Sequence, residues 1–174
     1  MLEENTFLYP AKDLLFYHAD IKGAALTGKR MEVLKKLTEK KNREPVTVIT
    51  TADAFLDGLP SKEKLWESRI EIEAGAVIDF QKLQEELVHL GYERESQIEG
   101  PGQFAVRGGI LDVYPLTEEI PVRIELWGDE IDSIRSFDVE SQRSMENMEQ
   151  VVIYPATENV EKKEQAVSFS EYFP

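Results

Sequence analysis

The sequence contains no cysteine and only two histidines, His18 and His89. Disulfide bonds and thiolate metal sites are therefore excluded, and the histidines do not have the spacing of a helical metal site. Long apolar runs are also missing, since stretches such as Val151–Tyr154 are far too short to span a bilayer. The acidic start Met1–Glu4 lacks the apolar run of a secretory signal. These absences predict a soluble, cytoplasmic chain that binds no metal and no membrane.

Basic residues become scarce in the second part of the chain. Residues 1–60 carry nine acidic and nine basic side chains, whereas residues 61–174 carry 25 acidic and 11 basic ones. The whole net charge of −14 therefore lies in the second part. Because an acidic surface repels phosphate backbones, we expect no direct binding to nucleic acid. Solubility and a basic protein partner explain the acidic excess equally well.

The first part of the chain has the pattern of an α/β fragment. Thr6–Pro10 and Val46–Thr50 are predicted to be strands, and the second is short and rich in β-branched residues, as buried strands are. A partial apolar stripe predicts a helix over residues 23–40, and Thr51–Phe55 is predicted to open a short second helix. Two strands cannot form a doubly wound sheet, so residues 1–73 are predicted to be an incomplete α/β domain.

The second part of the chain changes to a period of two. Leu65–Glu73 alternates and predicts a strand, and Asp79 is predicted to cap a helix that ends at Gly91. The further candidate strands span residues 92–98, 103–107, 109–114, 120–127, 130–138 and 149–154. We expect residues 74–155 to form a small antiparallel-sheet domain with one packed helix, and residues 156–174 to be a polar tail or the start of a truncated following segment. The predicted fold class is therefore α/β plus α+β.

One segment imitates a phosphate-binding loop. Residues 23–29, GAALTGK, match the G-x-x-x-x-G-K pattern, but Arg30 stands where a serine or threonine would hold magnesium. The polar residues 17–22 stand where such a loop needs a buried strand. We therefore expect no nucleotide or other cofactor, no catalytic residue, and solvated side chains at Lys29 and Arg30. A degenerate NTPase or helicase fragment stays open as an alternative.

Arg107 is the residue that most favours a binding function. In its strand, Phe104 and Val106 point to one face, so Arg107 is predicted to point to the other, away from the core. The two glycines that follow it permit a bulge or a positive φ. An outward arginine can bind a carboxylate on a partner. The alternative, which composition alone favours, is an internal salt bridge, for example to Glu125. A hairpin turn is predicted at Trp127–Glu130, with Gly-Asp at its centre.

Four segments stand in a distinctive order along the chain. They are Gly102–Pro115, Pro121–Arg135, Phe137–Arg143 and Tyr154–Ala156. This order resembles the bacterial transcription-repair coupling factors (Mfd) and, less closely, the excision-repair helicase subunit UvrB. A weaker resemblance extends upstream through residues 7–73. Ala105 favours the coupling factors, because the UvrB type often carries an arginine at the matching position.

The resemblance implies a noncatalytic protein-interaction module that couples stalled transcription to DNA repair. Residues 1–73 would be the remnant of a degenerate helicase-like α/β domain. Residues 74–155 would be the domain that docks UvrA, the damage-recognition ATPase of nucleotide excision repair. In full-length members a C-terminal inhibitory domain masks this surface until the protein meets RNA polymerase, and an ATP-dependent translocase domain lies outside the matching region.

The resemblance also implies which residues bind UvrA. The family's docking arginines match Arg94 and Arg107. We ourselves expect Phe104, Ile110 or Leu111 to be their apolar neighbours in the docking surface. An intramolecular autoinhibitory clamp that never binds UvrA stays open as a second alternative.

Overall fold

The computed structural model describes residues 5–12, 20–39, 45–158 and 166–173. The chain divides into two compact units, which we call unit 1 (1–68 with 157–174) and unit 2 (69–156). His18 lies outside the described residues. No helix in the part of the chain that the structure describes is long and apolar enough to cross a membrane.

Unit 1 begins with a strand–helix–strand arrangement. Strand β1 (Thr6–Tyr9), helix α1 (Asp20–Thr38) and strand β2 (Thr47–Thr50) follow one another, and the two strands pair in parallel. The predicted α/β pattern is thus present. Helix α1 begins three residues before Gly23, the predicted start.

The rest of unit 1 contains short elements that the sequence indicates only in part. They are α2 (Ala52–Phe55), β3 (Gly58–Leu59) and α3 (Lys62–Ser68). Helix α2 is the predicted short helix and is capped by Thr51, whose side chain accepts a hydrogen bond from the Ala54 amide. The predicted strand over residues 65–73 is wrong in its first half, where α3 lies. The missed signal is Ser61, whose hydroxyl accepts a hydrogen bond from the Lys64 amide and so caps α3.

The segment expected to be a polar tail returns to unit 1. Strand β12 (Val167–Ser168) pairs antiparallel with β3, and a 3₁₀ helix follows at Phe169–Tyr172. The Phe169 ring stacks on Tyr9 with centroids 4.2 Å apart, and the Tyr172 hydroxyl donates to the Pro60 carbonyl at 2.6 Å. Two buried aromatic side chains thus anchor residues 166–173.

Unit 2 contains a two-stranded sheet and one helix beside its main sheet. Strand β4 (Ile70–Glu73) pairs antiparallel with β11 (Gln150–Ile153), so the predicted strand at 149–154 does not join the main sheet. Helix α4 (Phe80–His89) has the predicted cap, because the Asp79 carboxylate accepts a hydrogen bond from the Lys82 amide at 3.0 Å. Gly91, just after this helix, has a φ of 89°.

The main sheet of unit 2 has six strands in the order β10-β9-β8-β7-β6-β5. They are β5 (Glu93–Glu95), β6 (Gln103–Arg107), β7 (Ile110–Val113), β8 (Val122–Trp127), β9 (Glu130–Phe137) and β10 (Ser144–Met148). Neighbouring strands are antiparallel as predicted, except that β5 and β6 pair in parallel. Strand β10 has no counterpart among the predicted strands.

The two faces of the main sheet differ because the side chains alternate along each strand. One face, with Phe104, Leu111 and Ile124 fully buried, packs together with Leu83 and Leu87 of α4. Burying a side chain of this kind stabilises a fold by about 1.5–3 kcal/mol. The opposite face, which we call the outer face, carries Arg107, Asp112, Arg123, Glu125 and Arg135 at its centre.

Candidate functional site

Two tight hairpin turns shape one end of the outer face. The first joins Arg107 to Ile110 through two glycines, and Gly108 has a φ of 61°. Gly109 leaves no room for a side chain, because a Cβ there would lie 3.0 Å from the Leu126 carbonyl oxygen. A glycine at the first central position suits the two-residue turns that match strand twist. The turn therefore fixes the position of Arg107 at the end of β6.

The second turn lies beside the first. It joins Trp127 to Glu130, as the sequence predicts, and Gly128 at its first central position has a φ of 64°. The Leu126 amide donates a hydrogen bond to the Gly109 carbonyl at 2.8 Å, which ties the two hairpins together. Arg107 and Trp127 thus end neighbouring hairpins at the same end of the sheet.

Arg107 is held by a buried carboxylate. Its Nη2 donates to Asp112 Oδ2 at 2.5 Å, and Arg123 grips the same carboxylate twice, from Nε to Oδ1 at 2.7 Å and from Nη2 to Oδ2 at 3.0 Å. The Asp112 side chain is 2% exposed, that of Arg123 13% and that of Arg107 43%. Asp112 therefore anchors two guanidinium groups, one mostly covered and one open to solvent.

Arg107 meets both expectations from the sequence, the outward direction and the internal salt bridge. It points away from the core face and stays accessible, and it also has an internal partner. That partner is Asp112, whereas Glu125 lies 3.8 Å from Arg135 and accepts a hydrogen bond from Ser133. Sequence reasoning missed Asp112, although a lone acid in the apolar strand ILDV was a usable signal. The Nε and Nη1 groups of Arg107 make no hydrogen bond within the described residues.

Arg123 supports this arrangement from the middle of the outer face. Its guanidinium lies 4.5 Å from the centre of the Phe137 ring and donates to the Gln142 carbonyl at 3.3 Å. The hydrogen bond to Asp112 raises the pKa of Arg123 above its ordinary value, although burial opposes this. Arg123 is therefore a fixed cation whose donors are directed inward, which leaves Arg107 as the more accessible arginine.

The five predicted docking residues do not share one surface. Arg94 is exposed on β5 but pairs in register with Phe104, whose side chain lies on the core face, so Arg94 belongs to the face opposite Arg107. Phe104 and Leu111 are fully buried in the core. Their placement corrects the expectation that they contact a partner, because both support the sheet from within. Ile110 is half-buried and pairs directly with Arg107 on the outer face.

The segment that imitates a phosphate-binding loop has a different structure. Residues 23–29 lie inside α1, so their backbone amides are directed along a helix and do not form a cradle around a phosphate. Among the described residues, no three histidine or acidic side chains come together as a metal site requires. Lys29 is exposed as expected.

Arg30 overturns the expectation of a solvated side chain, since it is 1% exposed. It forms two hydrogen bonds with the Glu158 carboxylate at 2.7 and 2.8 Å, an ion pair with Asp57 at 2.9 Å and a hydrogen bond to the Pro10 carbonyl at 2.6 Å. Its guanidinium also lies 4.2 Å from the centre of the Tyr9 ring. Burial disfavours the charge, but Glu158 raises the pKa of Arg30 above its ordinary value. Arg30 therefore stabilises the fold of unit 1.

Comparison with known proteins assigns the chain to a family. A family profile described as the UvrB interaction domain matches residues 70–159, which is slightly more than half of the chain. The chain therefore belongs to the UvrB interaction domain family.

Its relatives are more specific and confirm the resemblance. The chain is 38% identical over 163 residues to the transcription-repair-coupling factor of Bacillus subtilis (strain 168), covering 94% of this chain and 14% of that protein. It is 36% identical over 155 residues to the factor of the same name from Staphylococcus haemolyticus (strain JCSC1435), covering 88% of this chain and 13% of that protein. The chain thus spans about one seventh of the length of these relatives.

Proposed function

We propose that the chain is a noncatalytic protein-interaction module that docks UvrA and so couples stalled transcription to nucleotide excision repair. The observation that carries the proposal is Arg107, an accessible guanidinium at a tight hairpin end, anchored on a buried carboxylate. Membership of the UvrB interaction domain family supports a protein partner. We place the docking surface within unit 2 and propose the cytoplasm as its compartment.

Asp112 preorganises Arg107 for binding. An exposed arginine normally loses side-chain entropy when it binds, whereas Asp112 already restricts Arg107 through one of its terminal nitrogens. The nitrogens that face solvent remain free to bind a carboxylate of the partner by charge-assisted hydrogen bonds. Asp112 itself is satisfied by Arg123 at the same time. Arg107 can therefore bind UvrA without leaving a buried charge unpaired.

Arg94 has a separate place in this proposal. It occupies the opposite face of the sheet by register, so one acidic group of UvrA cannot bind both arginines at once. We propose that Arg94 contacts UvrA around the edge of the sheet at β5. Losses of affinity from Arg94→Ala and Arg107→Ala should then add, as they do at independent sites.

Calorimetric titration of UvrA into the 174-residue chain tests the proposal. The wild-type chain should bind, and Arg107→Ala should lower the affinity by about 30-fold or more, the smaller end of the cost of removing one partner of a desolvated charge pair. Lys82→Ala is the matched control, because Lys82 is an exposed cation on α4, which packs against the core face. Absence of wild-type binding, or equal losses at Lys82 and Arg107, would contradict the proposal.

The two alternatives make different predictions. An autoinhibitory clamp would leave UvrA unbound while the chain bound a C-terminal inhibitory domain of a full-length relative. We propose that domain and RNA polymerase as further partners of the whole protein. We propose ATP-driven translocation as the activity of the whole protein. A degenerate NTPase would bind magnesium ATP and lose it on Lys29→Ala, which the helical backbone of residues 23–29 disfavours.

A further inference from the structure

Trp127 is the most exposed of the large apolar side chains within the described residues, with 84% of its surface open to solvent. It ends β8, where Val122 and Ile124 belong to the core face and Arg123 to the outer face. The alternation of the strand therefore directs Trp127 to the outer face. Nothing in the turn requires a tryptophan, because the tight geometry depends on Gly128, which has the positive φ.

Trp127 lies close to Arg107 on that face. Gly109 approaches Leu126, the residue before Trp127, so Gly108 lies beside Trp127. Two strand spacings, about 10 Å in all, separate β6 from β8, and Trp127 lies two residues beyond Glu125, which is in line with Arg107 and Ile110. The Arg107 and Trp127 positions are therefore roughly 12 Å apart. Ile110, half-buried and directly opposite Arg107, lies on the strand between them. We call Arg107, Ile110 and Trp127 the turn-end patch.

A further apolar side chain extends the patch on its other side. Val77 is 75% exposed and forms a bridge with Glu130, which itself pairs with Trp127. Paired residues of neighbouring strands share a face, so Val77 and Trp127 lie on either side of Glu130. Exposed apolar side chains on one face mark binding surfaces, and tryptophan and arginine are enriched among the residues that carry most of the binding energy.

We propose that Trp127 is the apolar anchor of the turn-end patch and fits a recess of UvrA that lies roughly 12 Å from the carboxylate bound by Arg107. This inference rests on the proposed function and adds the chemistry of the partner surface. UvrA must offer an acidic group beside an apolar recess, and the recess discriminates against surfaces that are acidic alone.

The test compares variants of the 174-residue chain by titration with UvrA. Trp127→Ala should weaken binding by about tenfold or more, the loss that marks an energetically important contact. Trp127→Phe should lose less, because it retains an aromatic ring. Val88→Ala is the matched control, since Val88 is 57% exposed on α4, away from the outer face, and should leave the affinity unchanged.

Thermal melting of the same samples keeps the outcomes distinct. Trp127→Ala should melt near the wild-type temperature, because an exposed side chain contributes little to folding. Wild-type affinity of Trp127→Ala and Trp127→Phe, together with weak binding of Arg107→Ala, would overturn this inference and leave the proposed function standing. Absence of UvrA binding by the wild-type chain would overturn the proposed function and this inference with it.

Discussion

Replacement of Arg30 by alanine should destabilise unit 1 more than any exposed substitution. Arg30 is 1% exposed, donates hydrogen bonds to Glu158 and the Pro10 carbonyl, and forms an ion pair with Asp57. Without it, the Glu158 side chain, which is 2% exposed, keeps only Lys12 at 3.1 Å among its described partners. Lys12 is itself 46% exposed, so solvent screens that interaction. The buried carboxylate would thus be left nearly unpaired.

The magnitude follows from this burial. Removing one partner of a buried ion pair costs about 3–5 kcal/mol, and the remaining Lys12 contact puts the loss near the lower end. With a urea dependence of about 2 kcal/mol per molar, a loss of about 3 kcal/mol lowers the unfolding midpoint of unit 1 by about 1.5 M. Lys29→Ala, at the exposed neighbouring position, should change stability by about 0.5 kcal/mol or less.

Fluorescence can follow unit 1 separately, because each unit contains one tryptophan. Trp127→Phe removes the tryptophan of unit 2 and leaves Trp66 as the reporter of unit 1. In this background, urea titrations of Arg30→Ala, Glu158→Gln and the double variant form a cycle. The double variant should lose much less than the sum of the single losses, because the two side chains stabilise the same contact.

A small loss of stability in Arg30→Ala would contradict the structural role of Arg30. If Arg30→Ala and Lys29→Ala shifted the midpoint equally, Arg30 would be a solvated side chain in solution, as the sequence alone indicates. Additive losses in the cycle would show that Arg30 and Glu158 stabilise unit 1 independently.

Three further predictions concern unit 2. Asp112→Asn should lower the free energy of unfolding by about 3 kcal/mol and also weaken UvrA binding, because the buried carboxylate anchors two arginines. An unchanged midpoint of urea unfolding would contradict that role. Gly109→Ala should disturb both hairpins, because its Cβ would lie 3.0 Å from the Leu126 carbonyl oxygen. Gly100→Ala is the control, since a Cβ there meets nothing within 4 Å. Changes in amide chemical shift relative to wild type that are equally small in the two variants would refute this. Burial raises the pKa of the Tyr92 phenol above its ordinary value of 10.0. The stabilising effect of the protonated phenol is therefore complete below pH 10 and is lost as the pH rises toward the folded-state pKa. The part of the phenolate absorbance that Tyr92→Phe removes should appear only together with loss of the circular dichroism signal, and its appearance near pH 10 in the folded chain would contradict this prediction.

The local features of the fold were predictable from the sequence. Alternation and turn glycines locate β6 to β9, and Asp79 locates the start of α4, because each signal acts within a few residues. The outward direction of Arg107 follows from the same alternation. The identity of its partner does not, because the Asp112 contact depends on the register between β6 and β7.

Three features that sequence reasoning missed depend on contacts distant in the chain, whereas α3 was missed although its cap, Ser61, is a local signal. Arg30 and Glu158 are 128 residues apart, so no local pattern indicates that one buries the other. The return of residues 166–173 to β3 has the same cause. The resemblance predicts that Arg94 and Arg107 both bind the partner, yet the parallel pairing of β5 places them on opposite faces. A pairing direction of this kind is not encoded in the alternation of either strand.

The most direct test of the account measures UvrA affinity and melting temperature on the same sample of Arg107→Ala. The exposed Arg107 contact with Asp112 adds only about 0.5–1 kcal/mol to stability, because Arg123 retains the carboxylate through two hydrogen bonds. A loss of this size lowers the melting temperature by only a few degrees, so we predict that Arg107→Ala melts close to wild type. We also predict that its affinity for UvrA is about 30-fold lower or more. A variant that melts far below wild type and still binds UvrA at full strength would show that Arg107 serves the fold alone, and would contradict the docking function.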